Sequence, residues 1–292
     1  MSLNSLQNFS KPNKPTSVAV SNDASNSIKR LSNSVNSSNP ITIGDNLKQR
    51  ALAKINSGEA GKLKELAYDE AELVFLLDET GSIINQDADN IAQGRPSVIL
   101  GTTKAVNYVL DKERQNSKNT LVTIAQFSED MRTVCDRAHI SNVKPFSFEP
   151  TGGNTRIYEN LYKKIKQTMA MRASEHHANN NVLFAIMTDG HDSYSSSAPQ
   201  ELRDLIKKSG YKYILLAEET LNIAWFANDL GINQSNAVSY STKGKFGVSA
   251  NGLAICAAID GLRKTGDIPK NWAQNVIDNR INDPSKLLGN RK

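Results

Sequence analysis

From residue 70 onward, short runs rich in apolar residues alternate with segments whose apolar residues recur at helical spacing. The short runs have the length of β-strands, and most of them read as strands that are buried on both faces. They predict strands at Leu73–Leu77, Leu121–Phe127, Met131–His139, Val182–Met187, Tyr211–Ala217 and Ala237–Tyr240. The segments between them predict helices at Val98–Leu110, Ile157–Met171, Pro199–Lys208, Leu221–Leu230 and Ala250–Arg263.

Strands that are separated by helices form parallel sheets, because a parallel pair needs a long crossover connection. The run Met131–His139 is different, since only residues 128–130 separate it from the strand before it. We therefore expect it to be an antiparallel edge strand. The pattern predicts an α/β domain over residues 70–265, with a doubly wound, Rossmann-like and mostly parallel sheet.

The first 50 residues have a different composition. Twenty of them are Ser or Asn, and their apolar residues follow no period. Such a segment buries too little apolar surface to offset the entropy lost on ordering. Residues 1–45 are thus either a passive leader or a tail that becomes ordered on a partner, and we expect them to dock on another subunit. Helical spacing predicts a short helical lead-in over residues 46–69, and residues 266–292 form a C-terminal extension.

The net charge of +5 lies mostly in the same N-terminal segment. Residues 1–50 hold six Lys or Arg and two Asp, which leaves a charge of only +1 for the rest of the chain. A nearly neutral domain lacks the dense basic face that binds nucleic acid. We therefore expect no nucleic-acid partner. No apolar run approaches the ~18 residues of a membrane span. The two cysteines, Cys135 and Cys256, fit packed thiols in a reducing compartment better than a disulfide framework.

Oxygen-bearing side chains are concentrated in three segments of the predicted domain. Residues 78–82 (DETGS) follow the first strand, and residues 188–192 (TDGHD) begin at the end of the strand at 182–187. Between them, residues 151–155 (TGGNT) form a glycine turn before a helix. Ligands of doubly wound sheets bind beyond the carboxyl ends of the strands, which makes these segments the candidate site.

Alternate spacing in an extended turn directs Asp78, Thr80 and Ser82 to the same side. A hard cation such as Mg²⁺ takes about six oxygen ligands, usually including waters. Three hydroxyls with one or two carboxylates satisfy this demand and leave the ion incompletely neutralised. The ion then attracts an acidic oxygen from outside, which favours binding of a carboxylate over hydrolysis.

These motifs resemble the metal-ion-dependent adhesion site (MIDAS) of the von Willebrand factor A (vWA) domain. The family has D-x-S-x-S after the first strand, a threonine after a glycine turn, and an aspartate after the fourth strand. The resemblance spans residues 70–265 and implies that the metal ligands are Asp78, Thr80, Ser82, Thr155 and Asp189. Thr80 replaces a serine and keeps the hydroxyl. Asn154 stands where many members have the threonine, so Thr151 is the alternative ligand if the register differs.

The segment at residues 210–241 is similar to the ending of stand-alone vWA proteins of bacteria and their phages. This similarity implies an interaction module of an intracellular multi-protein complex, located in the cytoplasm or incorporated in a phage particle. Mg²⁺ or Mn²⁺ would take an Asp or Glu of a protein partner as its last ligand. The N-terminus has no apolar run typical of a secretory signal, which argues against the secreted adhesins that share the site.

Two other functions remain open. The chain could be a structural subunit of a virion or large assembly, anchored by its tail and carrying a vestigial metal site. It could also be a haloacid-dehalogenase-type, Mg²⁺-dependent phosphatase with Asp78 as nucleophile. That chemistry needs an acid two residues later, where the chain has Thr80, and a missing acid or base costs ~10²–10⁴ in rate. We therefore expect that the chain is not an enzyme.

Other residues near these motifs have simpler interpretations. Glu79 and Asp192 either polarise metal-bound waters or are solvated. His191 lacks a second histidine at ligand spacing and is expected in an exposed loop. Trp225 and Phe226 are expected to pack in the core.

Overall fold

The computed structural model describes residues 70–116, 119–174, 181–242 and 247–281. The predicted tail at 1–45, the lead-in at 46–69 and residues 282–292 lie outside these ranges. In the described ranges, no helix has the length and apolar character needed to cross a membrane.

The described residues form six strands and seven α-helices. The strands are β1 (Glu70–Asp78), β2 (Asn119–Phe127), β3 (Met131–His139), β4 (Val182–Thr188), β5 (Lys212–Glu218) and β6 (Ala237–Tyr240). The helices are α1 (Gly81–Ala92), α2 (Val98–Gln115), α3 (Ile157–Ser174), α4 (Gln200–Ser209), α5 (Ile223–Leu230), α6 (Asn251–Thr265) and α7 (Gln274–Ile281).

The strands form one sheet in the order β3-β2-β1-β4-β5-β6. All neighbouring pairs are parallel except β2 and β3, which are antiparallel. The predicted fold class, with one antiparallel edge strand, is thereby confirmed. The strand order reverses between β1 and β4, and a doubly wound sheet binds its ligands in the crevice at such a point.

Both faces of the central strand β1 are buried, which explains its uninterrupted apolar sequence. Leu73, Phe75 and Leu77 belong to the core on the side of α2 and α6. Val74 and Leu76 belong to the core on the side of α3, α4 and α5. None of these five side chains is exposed to solvent. Because successive strand residues point to opposite faces, the run can fill both cores.

Helix α1 was not predicted, because its sequence has little apolar periodicity. Polar contacts hold it instead. Asp87 accepts hydrogen bonds from the Ser97 hydroxyl at 2.6 Å and from the Ile99 backbone at 3.0 Å. Asn90 donates to the carbonyl of Thr242 at 3.1 Å. Burial of these polar residues beside Ile83 gives the helix a fixed position next to the end of β1.

A buried carboxylate fastens the edge strand to the centre of the sheet. Glu72 of β1 pairs with Arg137 of β3 at 2.9 Å and with Arg172 of α3 at 2.8 Å. Arg137 has a positive φ of 42°, and the β2–β3 register shifts nearby. The shared ion pair thus joins three elements at the amino end of β1, away from the candidate site.

The core includes residues beyond position 265. Trp272 and Val276 are each 1% exposed and belong to the same apolar cluster as Leu73. The Trp272 indole donates to the carbonyl of Ser235 at 2.9 Å. The division of the chain at residue 265 remains an expectation, and side chains past it pack into the domain.

Both cysteines are free thiols and partly buried. Burial raises the pKa of both, and the pKa of Cys256 rises to about 12 through burial and the negative charge of Glu113 and Asp260. At neutral pH these residues therefore behave as small apolar side chains.

Candidate metal centre

The two candidate carboxylates lie on adjacent strands. Asp78 is the last residue of β1, and Asp189 follows Thr188, the last residue of β4. These strands pair in parallel, so their carboxyl ends lie side by side at the reversal of strand order. Asp78 is 2% exposed, whereas Asp189 is half-buried.

Hydrogen bonds join four of the five predicted ligands. The backbone N–H of Thr80 donates to Oδ1 of Asp78 at 3.0 Å. The Ser82 hydroxyl donates to Oδ1 of Asp189 at 2.9 Å and lies 2.9 Å from the Thr80 hydroxyl. The hydroxyls of Thr80 and Ser82 therefore lie together beside the two carboxylates, but Ser82 belongs to the first turn of α1, so the expected extended turn ends at Thr80.

Thr188 holds the candidate carboxylate and was not predicted to do so. Its hydroxyl donates to Oδ2 of Asp78 at 2.6 Å and accepts from the backbone N–H of Gly190 at 3.1 Å. The only sequence signal was a hydroxyl at the end of β4, immediately before Asp189. The contact itself depends on the pairing of two strands that are far apart in sequence.

The glycine turn is bonded to the loop that follows β1. Gly152 and Gly153 have φ values of 86° and 93°, which side chains with a Cβ rarely adopt. Gly152 donates to the carbonyl of Glu79, and Gly81 donates to the carbonyl of Gly153, both at 3.0 Å. The two glycines therefore allow the turn to lie against the β1–α1 loop.

Thr155 lies on the other side of this turn, beside the loop of Asp189. It is 5% exposed, and its hydroxyl is 3.6 Å from the position that a Cβ on Gly190 would occupy. The Thr155 carbonyl accepts from the backbone of Ser193 at 2.7 Å. Thr151, the alternative, is exposed. The geometry therefore favours Thr155 over Thr151 as the fifth ligand.

The paired carboxylates make the centre electrostatically unfavourable on its own. Burial raises the pKa of Asp78, although hydrogen bonds from Thr188 and Thr80 oppose this shift. Burial and the charge of Asp78 raise the pKa of Asp189 to about 7. Neither carboxylate forms an ion pair with any residue that the structure describes. A bound cation would relieve both effects.

Residues 72–222, more than half of the chain, match the sequence profile of the von Willebrand factor type A domain. The chain belongs to the vWA family. The match includes all five predicted ligands, and it ends just before α5. No curated protein matches the sequence.

Solved structures that resemble this vWA chain have low sequence identity to it. Proximal thread matrix protein 1 from the mussel byssus, with a zinc-occupied MIDAS motif, has 14% identity and a TM-score of 0.47 over 65% of this chain and 48% of its own. The ArnB paralog VWA2 from Sulfolobus acidocaldarius has 14% identity and a TM-score of 0.42, over 64% and 44% respectively. Manganese-loaded Plasmodium vivax TRAP protein has 14% identity and a TM-score of 0.41, over 60% and 69%. The chain thus spans about half the length of the mussel protein.

The donor set of this vWA chain fits a hard divalent cation. It combines two carboxylates with three hydroxyls, and oxygen is the ligand that Mg²⁺ and Mn²⁺ prefer. The described ranges contain no group of three or more His, Cys, Asp or Glu side chains placed to hold a metal. The five candidate ligands all offer oxygen, whereas structural zinc sites typically use nitrogen and sulfur ligands.

Glu79 and Asp192, next to the predicted ligands, have protein partners. Glu79 accepts from Arg132 at 2.8 Å and from the Gln126 amide at 2.9 Å. Asp192 accepts from the backbone of Tyr158 at 3.2 Å, close to the start of α3. These contacts show that both carboxylates fasten the loops around the vWA site.

His191 packs against α5. Its ring makes edge contacts with Trp225 and Phe226, with centroids 5.2 and 4.7 Å away, and burial lowers its pKa. Phe226 is fully buried as expected, but Trp225 is 44% exposed, so its expected place in the core is wrong. The helix turns one aromatic ring into the core and leaves its neighbour at the surface near the vWA site.

Proposed function

We propose that the chain is a divalent-metal-dependent protein-interaction module. Mg²⁺ or Mn²⁺ is held by Asp78, Thr80, Ser82, Thr155 and Asp189, and it takes an Asp or Glu of a protein partner as its last ligand. The supporting observation is the hydrogen-bonded cluster of carboxylates and hydroxyls where the strand order reverses between β1 and β4. Among the described residues, no lysine or arginine side chain pairs with this cluster. Membership of the vWA family supports the same function.

The bound ion would act as a Lewis acid that attracts a carboxylate. The chain itself orients the ligands before the ion arrives. Thr188 and the Thr80 backbone fix the two oxygens of Asp78, and Ser82 connects Thr80 to Asp189. Three of the five ligands are neutral hydroxyls, so the ion keeps more positive charge than it would among carboxylates.

The wider setting that we propose is an intracellular bacterial or phage complex. It rests on the similarity of residues 210–241 to stand-alone vWA proteins, and it includes docking of the tail at 1–45 on another subunit. The family match favours an interaction module over the phosphatase alternative, which requires an acid where the chain has Thr80. The structural-subunit alternative differs in that its assembly does not depend on the metal.

Metal binding is tested by calorimetric titration of the full-length protein with MgCl₂ and with MnCl₂. Asp78→Asn and Asp189→Asn should abolish binding, because each removes a charged ligand. Asp111→Asn is the matched control, since this carboxylate of α2 is 62% exposed. Equal heats of binding in the wild type and all three variants would contradict the proposal.

Partner binding is tested by capture from native lysate in Mg²⁺ and again in EDTA. Partners that are lost on chelation, and also lost with Asp78→Asn in Mg²⁺, support the module. Partners retained through EDTA favour the structural subunit that is anchored by its tail.

A further inference from the structure

A pocket of about 510 Å³ is lined by residues that follow two of the candidate metal ligands in sequence. Arg156, which follows Thr155, lines this pocket, and so does Asp192, which lies in the same loop as Asp189. The backbone of Ser193 donates to the Thr155 carbonyl at 2.7 Å and joins the two loops. The pocket and two of the candidate ligands, Thr155 and Asp189, are therefore carried by the same pair of bonded loops.

The walls of the pocket are mostly apolar and aromatic. Tyr158 and Tyr162 come from α3, and Leu202 comes from α4. Tyr194 also lines the pocket and is 56% exposed. The guanidinium of Arg156 lies 4.1 Å from the centroid of the Tyr194 ring. One face of the Tyr194 ring is therefore covered by Arg156, which shows that this wall accommodates a basic group over an aromatic ring.

The charged groups of the lining are three carboxylates and one guanidinium. Arg156 pairs with Glu159 at 3.4 Å, and Glu159 also pairs with Lys163 at 2.6 Å. Asp192 accepts hydrogen bonds from backbone N–H groups. Glu201 is exposed and has no ion-pair partner in the part of the chain that the structure describes. Among the lining residues, carboxylates therefore outnumber guanidinium groups by three to one, and the unpaired Glu201 can receive a cation from outside.

We propose that this pocket binds a lysine or arginine side chain of the protein partner, next to the acidic side chain that the metal takes. The proposal rests on the proposed function. The long aliphatic stem of the basic residue packs against Tyr162 and Tyr194, the two lining tyrosines that keep exposed surface, while its charged end meets Glu201. An acidic side chain would face three carboxylates, and an apolar one would leave Glu201 without a counterion. The partner surface therefore presents an acidic and a basic side chain close together.

The test uses a displayed library of short random peptides, selected on the full-length protein in Mg²⁺ and in EDTA. In Mg²⁺, the enriched peptides should carry an acidic residue with a Lys or Arg at a fixed separation from it. Replacing that Lys or Arg by Ala should weaken binding about three- to tenfold, as expected for a cation on an aromatic and acidic surface. Glu201→Lys should remove the preference for a basic residue. Asp204→Lys, the same charge change at an exposed position of α4 outside the pocket lining, should retain it.

The outcomes separate this inference from the proposed function. Peptides with a basic residue but no acidic one, selected equally in Mg²⁺ and EDTA, would support the pocket and contradict the metal-dependent module. A different outcome is selection, only in Mg²⁺, of peptides in which an acidic residue is flanked by apolar or acidic residues. That outcome would contradict the proposed basic-residue pocket and would still support the metal-dependent module. Absence of any enriched class, or an unchanged basic preference in Glu201→Lys, would also overturn the pocket.

Discussion

The hydroxyl of Thr188 donates a 2.6 Å hydrogen bond to Oδ2 of Asp78, from the end of β4 to the end of β1. The Thr80 backbone donates to Oδ1, so each oxygen of the carboxylate has a fixed donor. Both bonds lower the pKa of Asp78, in opposition to burial, which raises it. Thr188 is therefore a positioning residue, because it keeps a buried carboxylate oriented and favours its charged form.

Replacing this hydroxyl should weaken metal binding without removing a ligand. We expect Thr188→Val to lower Mg²⁺ affinity about tenfold, the lower end of what is lost when a group that orients a metal ligand is removed. Calorimetric titration measures the affinity. Thr188→Ser is the control, since it keeps the hydroxyl and should bind nearly as tightly as the wild type. Equal affinity in Thr188→Val would show that Asp78 needs no such support.

Much of the fold could be predicted because strands that are buried on both faces of the sheet have uninterrupted apolar sequences. All six strands of the described ranges were predicted, and β3 and β6 have the predicted bounds. Helix α1 was missed because buried Asp87 and Asn90 hold it, and polar residues at core positions break the helical pattern. Hydrogen bonds to residues that are distant in sequence replace the apolar stripe there.

The site was predictable only in part, for a similar reason. The five proposed ligands sit in short motifs whose spacing is visible in the chain. Thr188 was missed because its role arises from the pairing of β4 with β1. The pocket was missed as well, since Tyr158 and Tyr162 of α3 meet Leu202 of α4 only in the folded domain.

The buried carboxylate of Glu72 should matter more than an exposed one. Glu72→Gln removes the charge that Arg137 and Arg172 share in the interior, and breaking a buried pair costs about 3–5 kcal/mol. We expect a loss of about 3 kcal/mol in the free energy of unfolding, measured by urea denaturation. Asp111→Asn breaks the exposed pair with Arg114 and should change stability by less than about 1 kcal/mol. Similar losses of unfolding free energy in the two variants would contradict the buried ion pairs of Glu72 with Arg137 and Arg172.

The contact between α2 and α6 should not tolerate an added methyl group. A Cβ on Gly252 would lie 2.7 Å from the carbonyl oxygen of Ala105, so the helices must move apart. Overpacking costs about 1–3 kcal/mol, against a helix-propensity gain of at most about 1 kcal/mol for Ala. We expect Gly252→Ala to lower the melting temperature by a few degrees.

The control for this helix contact is Gly81→Ala, measured in EDTA. The nearest atom to a Cβ at this position is 3.7 Å away, which is an ordinary contact. This variant should melt within about a degree of the wild type. If Gly252→Ala melts at the same temperature as the control, the close approach of α6 to α2 is not as the structure has it.

The paired carboxylates predict how stability depends on pH in the absence of metal. Burial and the charge of Asp78 raise the pKa of Asp189 from about 3.9 in the unfolded chain to about 7. The folded state then binds more protons than the unfolded state between these values. Its stability therefore falls as pH rises from about 4 to about 7, and this contribution is constant above that range. Thermal melts in EDTA should show this fall, and Asp189→Asn should show a smaller one, because only Asp78 of the pair then keeps a raised pKa.

Metal should reverse this dependence, because a cation binds the deprotonated carboxylate and must displace its proton. Excess Mg²⁺ should raise the melting temperature at about pH 8, and it should raise it much less at about pH 5.5, where Asp189 holds its proton. The same pair of melts with Asp189→Asn should show little effect of Mg²⁺ at either pH. An equal Mg²⁺ effect at both pH values in the wild type would mean that the ion binds somewhere other than between Asp78 and Asp189.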